Sequence, residues 1–418
     1  MGFRQLVTIV LIYSTAHGEI PEAEWPGFRG NGKSRGKGHN VALKWTDETG
    51  VLWRKKLRGF GQSSPVLWGD TVYVTSIGGA NKEHLYVEAF DRLSGKRRWL
   101  HQAKATETVE SVSKMISQGA PTPVAGPLGL HAFFESGDLI SLDHRGNLRW
   151  SRKLTEEFGK FKGGHGLGSS LVGAANELLL LIDHDGPSYL LCMSREDGKT
   201  SWKIDREPRV SWTSPLYQEH ADGARVLVSS NGRIDAYRFK DGKALWWADG
   251  IKKNTVASPA SNGDLVVLGS SSPRQTKAFR LGGTGDVAKT HLAWIAESAT
   301  TSFPSPVIDK EIVYLINRAG SLQAHRMEDG SQLWKTRLPG EAWATPIIVS
   351  DRLYVFCKNG KTAIFNAKGG SPIPLSVNTL SIEDDDLVYG VGLAKGSFVL
   401  RTGRELIAIA PSEDDRSQ

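Results

Sequence analysis

Residues 62–99 read Gln62-Ser63-Ser64-Pro65-Val66-Leu67, then Asp70-Thr71-Val72-Tyr73-Val74-Thr75, then His84-Leu85-Tyr86-Val87-Glu88-Ala89-Phe90-Asp91, closing on Ser94-Gly95-Lys96 and Trp99. Each segment is short and rich in β-branched or aromatic residues, and Gly, Asp or Asn punctuates the gaps. This predicts antiparallel strands joined by tight turns. The closing turn recurs along the chain at one offset. Gly95 precedes Trp99 by four residues, and the same spacing joins Gly146 to Trp150, Gly198 to Trp202, Gly242 to Trp246 and Gly330 to Trp334. A hairpin explains the spacing: Gly takes the positive φ of the turn, and the indole on the returning strand packs between neighbouring sheets.

The opening of the unit recurs as well, at Ser64-Pro65, Thr122-Pro123, Ser169-Ser170, Ser214-Pro215, Ser258-Pro259, Ser305-Pro306 and Thr345-Pro346. Proline early in a strand suits an innermost edge, where a missing N–H leaves no ladder bond unmade. An eighth, degenerate opening lies near Gly392-Leu393-Ala394. It is followed by strands at 396–401 and 405–409, but the chain ends before a closing Trp strand. The missing strand is available at residues 51–57. Pairing it with the last unit would close a ring and remove an open edge. The reading is therefore all-β, a single eight-bladed β-propeller of four-stranded antiparallel blades, with seven blades as the alternative.

Departures from the repeat mark insertions. Gly285 precedes Trp294 by nine, Ile373 stands where a Trp would follow Gly369, and residues 104–118 form a polar insertion. The boundaries expected are a signal peptide at 1–18, a lead-in segment at 19–50, the propeller at 51–410 and a disordered acidic tail at 411–418. The signal rests on Arg4, the apolar run 6–12 and the small residues Ala16 and Gly18 at the −3 and −1 positions of a cleavage site. It implies a periplasmic or secreted protein. No cysteine follows the apolar run to take a lipid anchor, and no segment is long and apolar enough for a transmembrane helix.

Composition agrees with a globular repeat protein: 39% hydrophobic, 23% charged, with 46 Gly and 13 Trp. The net charge of +7 is spread along the chain without a basic run, so no nucleic-acid partner is expected. Two cysteines, Cys192 and Cys357, are too few and too far apart for a disulfide framework, and both are read as buried free thiols.

The pattern of Ser/Thr-Pro, Asp-x-Val-Tyr-Val, Leu-Tyr and Gly-x-x-x-Trp resembles the PQQ-like propeller repeat of the quinoprotein-like superfamily. That superfamily includes quinoprotein alcohol dehydrogenases and the propeller subunit of the outer-membrane β-barrel assembly machine. Trp25-Pro26-Gly27-Phe28-Arg29-Gly30 looks like the opening of exported planctomycete-type propellers. The resemblance implies a fold and leaves the activity to be argued from a site. A family dehydrogenase would need PQQ with Ca²⁺, a carboxylate base and a disulfide between adjacent cysteines. The isolated Cys192 and Cys357 cannot supply that disulfide.

Two constellations stand out. Gly163-Gly164-His165-Gly166-Leu167-Gly168 and Asp183-His184-Asp185-Gly186 place two histidines and two carboxylates at strand ends that could meet, as an acid/base pair or metal site; turn chemistry is the plainer reading. Arg206, Arg209 and Trp212 form a candidate ligand cluster, an indole beside cations, with a structural stack as its alternative. Gly282–Thr290 lacks the strand-to-helix context of a phosphate loop. No cofactor and no metal are assigned. The leading expectation is a non-catalytic binding scaffold with an envelope or extracellular protein partner, or a small ligand in the central funnel. A divergent quinoprotein-type oxidoreductase is the rival.

Overall fold

The computed structural model describes residues 25–36, 41–108, 118–253 and 256–411. Residues 1–18, expected from the sequence to be a signal segment, lie outside the described residues, as do most of the 104–118 insertion and nearly all of the acidic tail. Eight antiparallel sheets, each built on four strands, form the ring of an eight-bladed β-propeller. Helix is confined to Arg29–Gly32 and Leu154–Phe158 among the described residues, and neither could cross a membrane.

Blade 1 runs outward through Val66–Trp68, Thr71–Gly78, His84–Asp91 and Arg97–Lys104. Blades 2 to 7 open at Val124, Val172, Leu216, Ala260, Val307 and Ile347. The second and third strands are covered by a neighbouring sheet on both faces. They therefore read as continuous apolar runs rather than alternating ones, as in Leu178-Leu179-Leu180-Leu181-Ile182, which is wholly buried. One such interblade core joins Tyr73, Leu85, Val87 and Ala89 of blade 1 to Leu130, Ala132, Ile140 and Leu142 of blade 2.

Blade 8 takes three strands from the C-terminus, Val388–Ala394, Ser397–Thr402 and Glu405–Ile409. Its outermost strand is Val51–Lys56, paired antiparallel with Val51 opposite Ile409 and Arg54 opposite Ile407. The two ends of the chain thus share a sheet.

The repeated indole covers the next blade's turn. Trp53 donates its Nε1–H to Arg92 O (2.9 Å), Trp99 to His144 O (2.9 Å), Trp150 to Arg195 O (3.1 Å) and Trp202 to Phe239 O (2.8 Å). Trp294 and Trp334 likewise donate to Met327 O and Gly369 O. Each ring lies so close over the turn glycine that a Cβ on Gly95, Gly146, Gly198, Gly242 or Gly330 would come within 2.6–2.8 Å of it. Trp246 breaks the series: its Nε1 is buried without a partner. The turn it would cover is replaced by the insertion around Gly285. There Gly285–Asp286 runs parallel to Trp246 and Trp247 as a fifth strand of blade 4. At blade 8 the place of that turn is taken by the junction of the two ends, where Ala410 N donates to Gly50 O (3.0 Å) and a Cβ on Gly50 would lie 2.9 Å from the buried Trp45.

At the axis a second periodic device operates. The N–H of Ser64 donates to Thr122 Oγ1 (3.0 Å), Thr122 to Ser170 Oγ (3.0 Å), and Ser170 to Ser214 Oγ (2.9 Å). The belt continues from Ser214 to Ser258 Oγ (2.9 Å), Ser258 to Ser305 Oγ (3.0 Å) and Ser305 to Thr345 Oγ1 (3.1 Å). These amides belong to innermost segments with no strand further in, so the neighbouring hydroxyl supplies the acceptor a ladder would have given. The belt corrects one sequence register: in the third unit Ser170, not Ser169, is the opening hydroxyl. In blade 8 the position is Gly390, where any Cβ would lie 2.5 Å from Ser64 Oγ.

A strap at residues 25–36 crosses one end of the axis. Trp25 O and Pro26 O accept from Leu67 N and Ala125 N, and Ser34 O accepts from Ile348 N. Between these anchors the Arg29 guanidinium donates to Pro259 O (2.9 Å), Pro306 O (3.4 Å) and Ser34 Oγ (3.3 Å). The strap leaves the other end of the axis open as a funnel with Phe28 at its floor.

Candidate functional site: the axial funnel

The funnel encloses about 430 Å³. Its neck is lined by belt hydroxyls, among them Ser64, Thr122, Ser170, Ser214 and Thr345. Above the neck, the wall comes from one repeated position, the residue two before each opening hydroxyl. In blades 1 to 7 these are Gln62, Ala120, Gly168, Trp212, Val256, Phe303 and Trp343, and all seven line the cavity. The wall is therefore uneven. Small side chains leave room beside blades 2 and 3, while blades 4, 6 and 7 present aromatic rings.

Those rings are held in place from behind. Phe303 and Trp343 stack at 3.9 Å and 11°, and Tyr389 meets Trp343 edge-on at 5.2 Å. The Lys358 ammonium sits 5.4 Å above Phe303 and 5.5 Å above Trp343, and pairs with Glu341 at 2.9 Å. Trp212 donates to Gly166 O (2.9 Å) and leans over Gly168, where a Cβ would lie 3.0 Å from its ring. Thr301 Oγ1 is a buried wall hydroxyl without a partner. The charged or titratable groups of the lining are Lys253, Arg318 and His165, besides the phenol of Tyr389, whose pKa is raised by burial. No carboxylate is among the described lining residues.

The residues singled out in the sequence do not assemble into one site. His165 is exposed at the rim, its ring 6.0 Å from Trp212. His184 is buried, and its Nδ1 accepts from the N–H of Lys162 and of Gly186, both at 2.9 Å. That makes it the clamp of the glycine-rich loop and not a partner of His165. Asp183 is buried against Arg206 Nε (3.1 Å) and Ser211 Oγ (2.9 Å), whereas Asp185 is exposed. Among the described residues no three or more His, Cys, Asp and Glu side chains come together as a metal site would require.

Arg206 is sequestered as well. It donates to Asp183, Asp235 (3.2 Å), Tyr237 Oη (2.6 Å) and Ser230 Oγ (3.2 Å). Burial alone would lower its pKa, but Asp183, Tyr237 and Asp235 raise it overall, so it stays a cation that locks blade 3 to blade 4. Arg209 stays at the edge of this network, 3.9 Å from Asp235. Of that cluster only Trp212 lines the funnel. The sequence search missed Phe303, Trp343, Tyr389, Lys253 and Arg318 because it looked for reactive residue types. For Phe303 and Trp343 the usable signal was positional, two residues before the opening hydroxyl; Tyr389, Lys253 and Arg318 lie outside that register.

Residues 34–163 and 186–413 match the family model described as outer membrane protein assembly factor BamB. The solved BamB from Moraxella catarrhalis superposes with a TM-score of 0.59 at 15% identity, covering 86% of this chain and 99% of that one. A europium-containing methanol dehydrogenase superposes with a TM-score of 0.65 at 10% identity, covering 90% of this chain and 89% of that one. A curated 1-butanol dehydrogenase (quinone) from Thauera butanivorans is 25% identical over 228 residues. That match takes in 52% of this chain and spans only 31% of the dehydrogenase. The structural likenesses show the PQQ-like propeller fold.

A quinone with its cation would require carboxylate oxygens at the funnel and a base beside them. The described lining supplies no carboxylate for either role, and the two free cysteines are buried in separate blades, 3 and 7. These residues do not fit that group.

Proposed function

Because this chain belongs to the family described as outer membrane protein assembly factor BamB, we propose that it is a non-catalytic binding or assembly scaffold of the cell envelope. In this reading it is an exported protein whose funnel face engages its partner. The observation that carries the proposal is the funnel lining: the rings of Phe28, Trp212, Phe303, Trp343 and Tyr389 and a hydroxyl neck, without a described carboxylate. Rigid aromatic side chains contribute large contact area at low entropic cost, as interface hot spots do. The propeller holds them on a frame that closes its own ring, so little ordering is needed on binding.

The test places a photo-crosslinking residue at Phe303 or Trp343 in intact cells, with Leu128, exposed on the strap side, as control. The scaffold reading expects one discrete envelope protein to be captured from the funnel positions and not from Leu128. The quinone-linked alternative is tested by reconstitution with PQQ and Ca²⁺. Stoichiometric uptake with dye-linked alcohol oxidation would refute the scaffold.

A further inference from the structure

Phe28 lines both the funnel and a second, larger cavity on the strap side of the axis. This cleft encloses about 850 Å³ between residues 26–35 and the innermost strands of blades 2 to 6. Its lining carries Arg29, Lys33, Arg35, Arg195 and Lys310 against one carboxylate, Glu219. Arg35 is paired with Asp309, so it is spoken for. The other four cations have no ion-pair partner among the described residues.

Two of them are the informative ones. Arg29 is almost wholly buried, and its contacts are neutral: two proline carbonyls and the Ser34 hydroxyl. A buried guanidinium held only by neutral acceptors leaves its charge uncompensated, which is costly in a low-dielectric site. Arg195 follows the third strand of blade 3 and is tied by Nε to Glu177 O at 3.1 Å. Its two terminal nitrogens have no protein partner among the described residues. They lie over the innermost strands of blades 2 and 3 at Gly126 and Gly173. A Cβ at Gly126 would come within 2.4 Å of Nη1, and one at Gly173 within 1.7 Å of Nη2. The glycines thus form a cradle that lets the guanidinium fork reach the cleft. Burial lowers the pKa of both arginines, Arg29 to about 10, with no carboxylate acting to raise either one. On the side of blades 4 and 5, Gln218 and Asn262 also line the cleft.

We propose that the strap-side cleft, whose lining also carries Arg29, Lys33 and Lys310, is a binding site for a phosphoryl oxyanion gripped by the free fork of Arg195. A planar guanidinium with two unused parallel donors matches a phosphate edge, and charge-assisted bidentate pairs are the strong kind. The site is separate from the funnel and stands whether or not the scaffold reading holds.

Two sources could bring that chemistry, a free phosphate compound or an anionic lipid headgroup, and the experiment separates them. Calorimetry of the folded protein with inorganic pyrophosphate, against KCl of equal ionic strength, is run beside sedimentation with phosphatidylglycerol vesicles. Saturable pyrophosphate binding assigns a free ligand. Vesicle binding without it assigns a headgroup. In either case Arg195→Gln is expected to weaken binding about tenfold or more, the loss of one charge-assisted pair. Should that variant fold poorly, Lys33→Ala with Lys310→Ala, both exposed residues, must weaken binding without unfolding the protein. Arg404→Gln, at a different basic pocket, must leave it unchanged. The proposal is overturned if neither probe binds beyond the KCl control, or if binding survives Arg195→Gln and the double lysine variant.

Discussion

Replacing Gly95 with alanine tests whether the repeated glycine is required by the neighbouring indole or only by its own turn. Gly95 has φ = +64°, and a Cβ there would lie 2.6 Å from Trp53 Cδ2 and 2.8 Å from Cγ. An alanine in the left-handed region costs about 1–2 kcal/mol by itself. Carbon atoms pack at 3.5–4 Å, so the ring must also recede by about 1 Å. That retreat forfeits the Trp53 Nε1–H to Arg92 O bond, worth about 1 kcal/mol net. It also loses part of the about 3–5 kcal/mol that a large-to-small change at a buried aromatic typically costs. Gly95→Ala should therefore cost about 3–5 kcal/mol in total. Gly250 is the control: its φ is +83° with nothing within 4 Å of a built Cβ. Gly250→Ala should cost only the backbone share, about 1–2 kcal/mol. Urea unfolding of Gly95→Ala, Trp53→Ala and the double variant completes the cycle. Once the indole is gone the alanine keeps only its backbone cost, so the two changes should be non-additive by about 2 kcal/mol. Additive effects, or a Gly95→Ala cost equal to that of Gly250→Ala, would refute the interblade role.

Other consequences follow from the same structure. Ser214→Ala removes the acceptor of the Ser170 N–H and should cost about 1–3 kcal/mol in urea unfolding, while Ser214→Thr keeps the hydroxyl and most of the stability; a neutral Ser214→Ala would show that the belt is incidental. His131 is wholly buried, with both ring nitrogens unpartnered and the ring stacked on Trp150 at 5.5 Å. Burial, then Arg195 and Arg149, lower its pKa from 6.5 to about 3. Between those values the unfolded chain binds one more proton, so stability is lost as the pH falls, by up to about 1.4 kcal/mol per unit. His131→Phe should remove that part of the slope in unfolding measured from pH 7 to pH 4, and an unchanged slope would contradict it. Burial pushes the Cys357 thiol up to about 12 and raises that of Cys192, where Glu177 adds to the effect. A thiol reagent at pH 8 should therefore find neither cysteine in the native protein and both after unfolding; fast native labelling would contradict the burial.

The architecture was legible because two physical demands repeat with each blade. A turn glycine and an indole four residues later satisfy a contact between blades, so five copies of that pair were enough to read stacked sheets. The Ser/Thr-Pro opening marked the innermost strand because proline is tolerated where no ladder bond is required. The third unit slipped by one residue, since Ser169-Ser170 lacks the proline that would fix its register. The hydrogen bond from Thr122 N to Ser170 Oγ settles it. The insertion at Gly285 was visible as a broken spacing, but its pairing with Trp246 and Trp247 was not, because a parallel two-residue contact leaves no pattern. The polar constellations were open to two readings, chemical or structural, for a different reason. Asp183, His184 and Arg206 are residue types that do chemistry in exposed clefts, yet here they satisfy one another or a loop backbone inside the ring. Residue type alone does not distinguish these cases; burial and partners do.

The repeat also shows where binding specificity can reside. The turn glycine, the covering indole and the belt hydroxyl are each fixed by a contact to the next blade, so they cannot vary without loosening the ring. The residue two before the hydroxyl makes no such recurring contact, and it reads Gln, Ala, Gly, Trp, Val, Phe and Trp around the funnel. This freedom lets one side of the wall be open and the other aromatic on an otherwise regular frame. A ligand that recognises the funnel must therefore sense the asymmetry, lying against Trp212, Phe303 and Trp343 and extending toward Ala120 and Gly168. Exchanging side chains within this set, Ala120→Trp with Trp343→Ala, should reverse the preference for the partner while leaving the belt and the interblade indoles untouched.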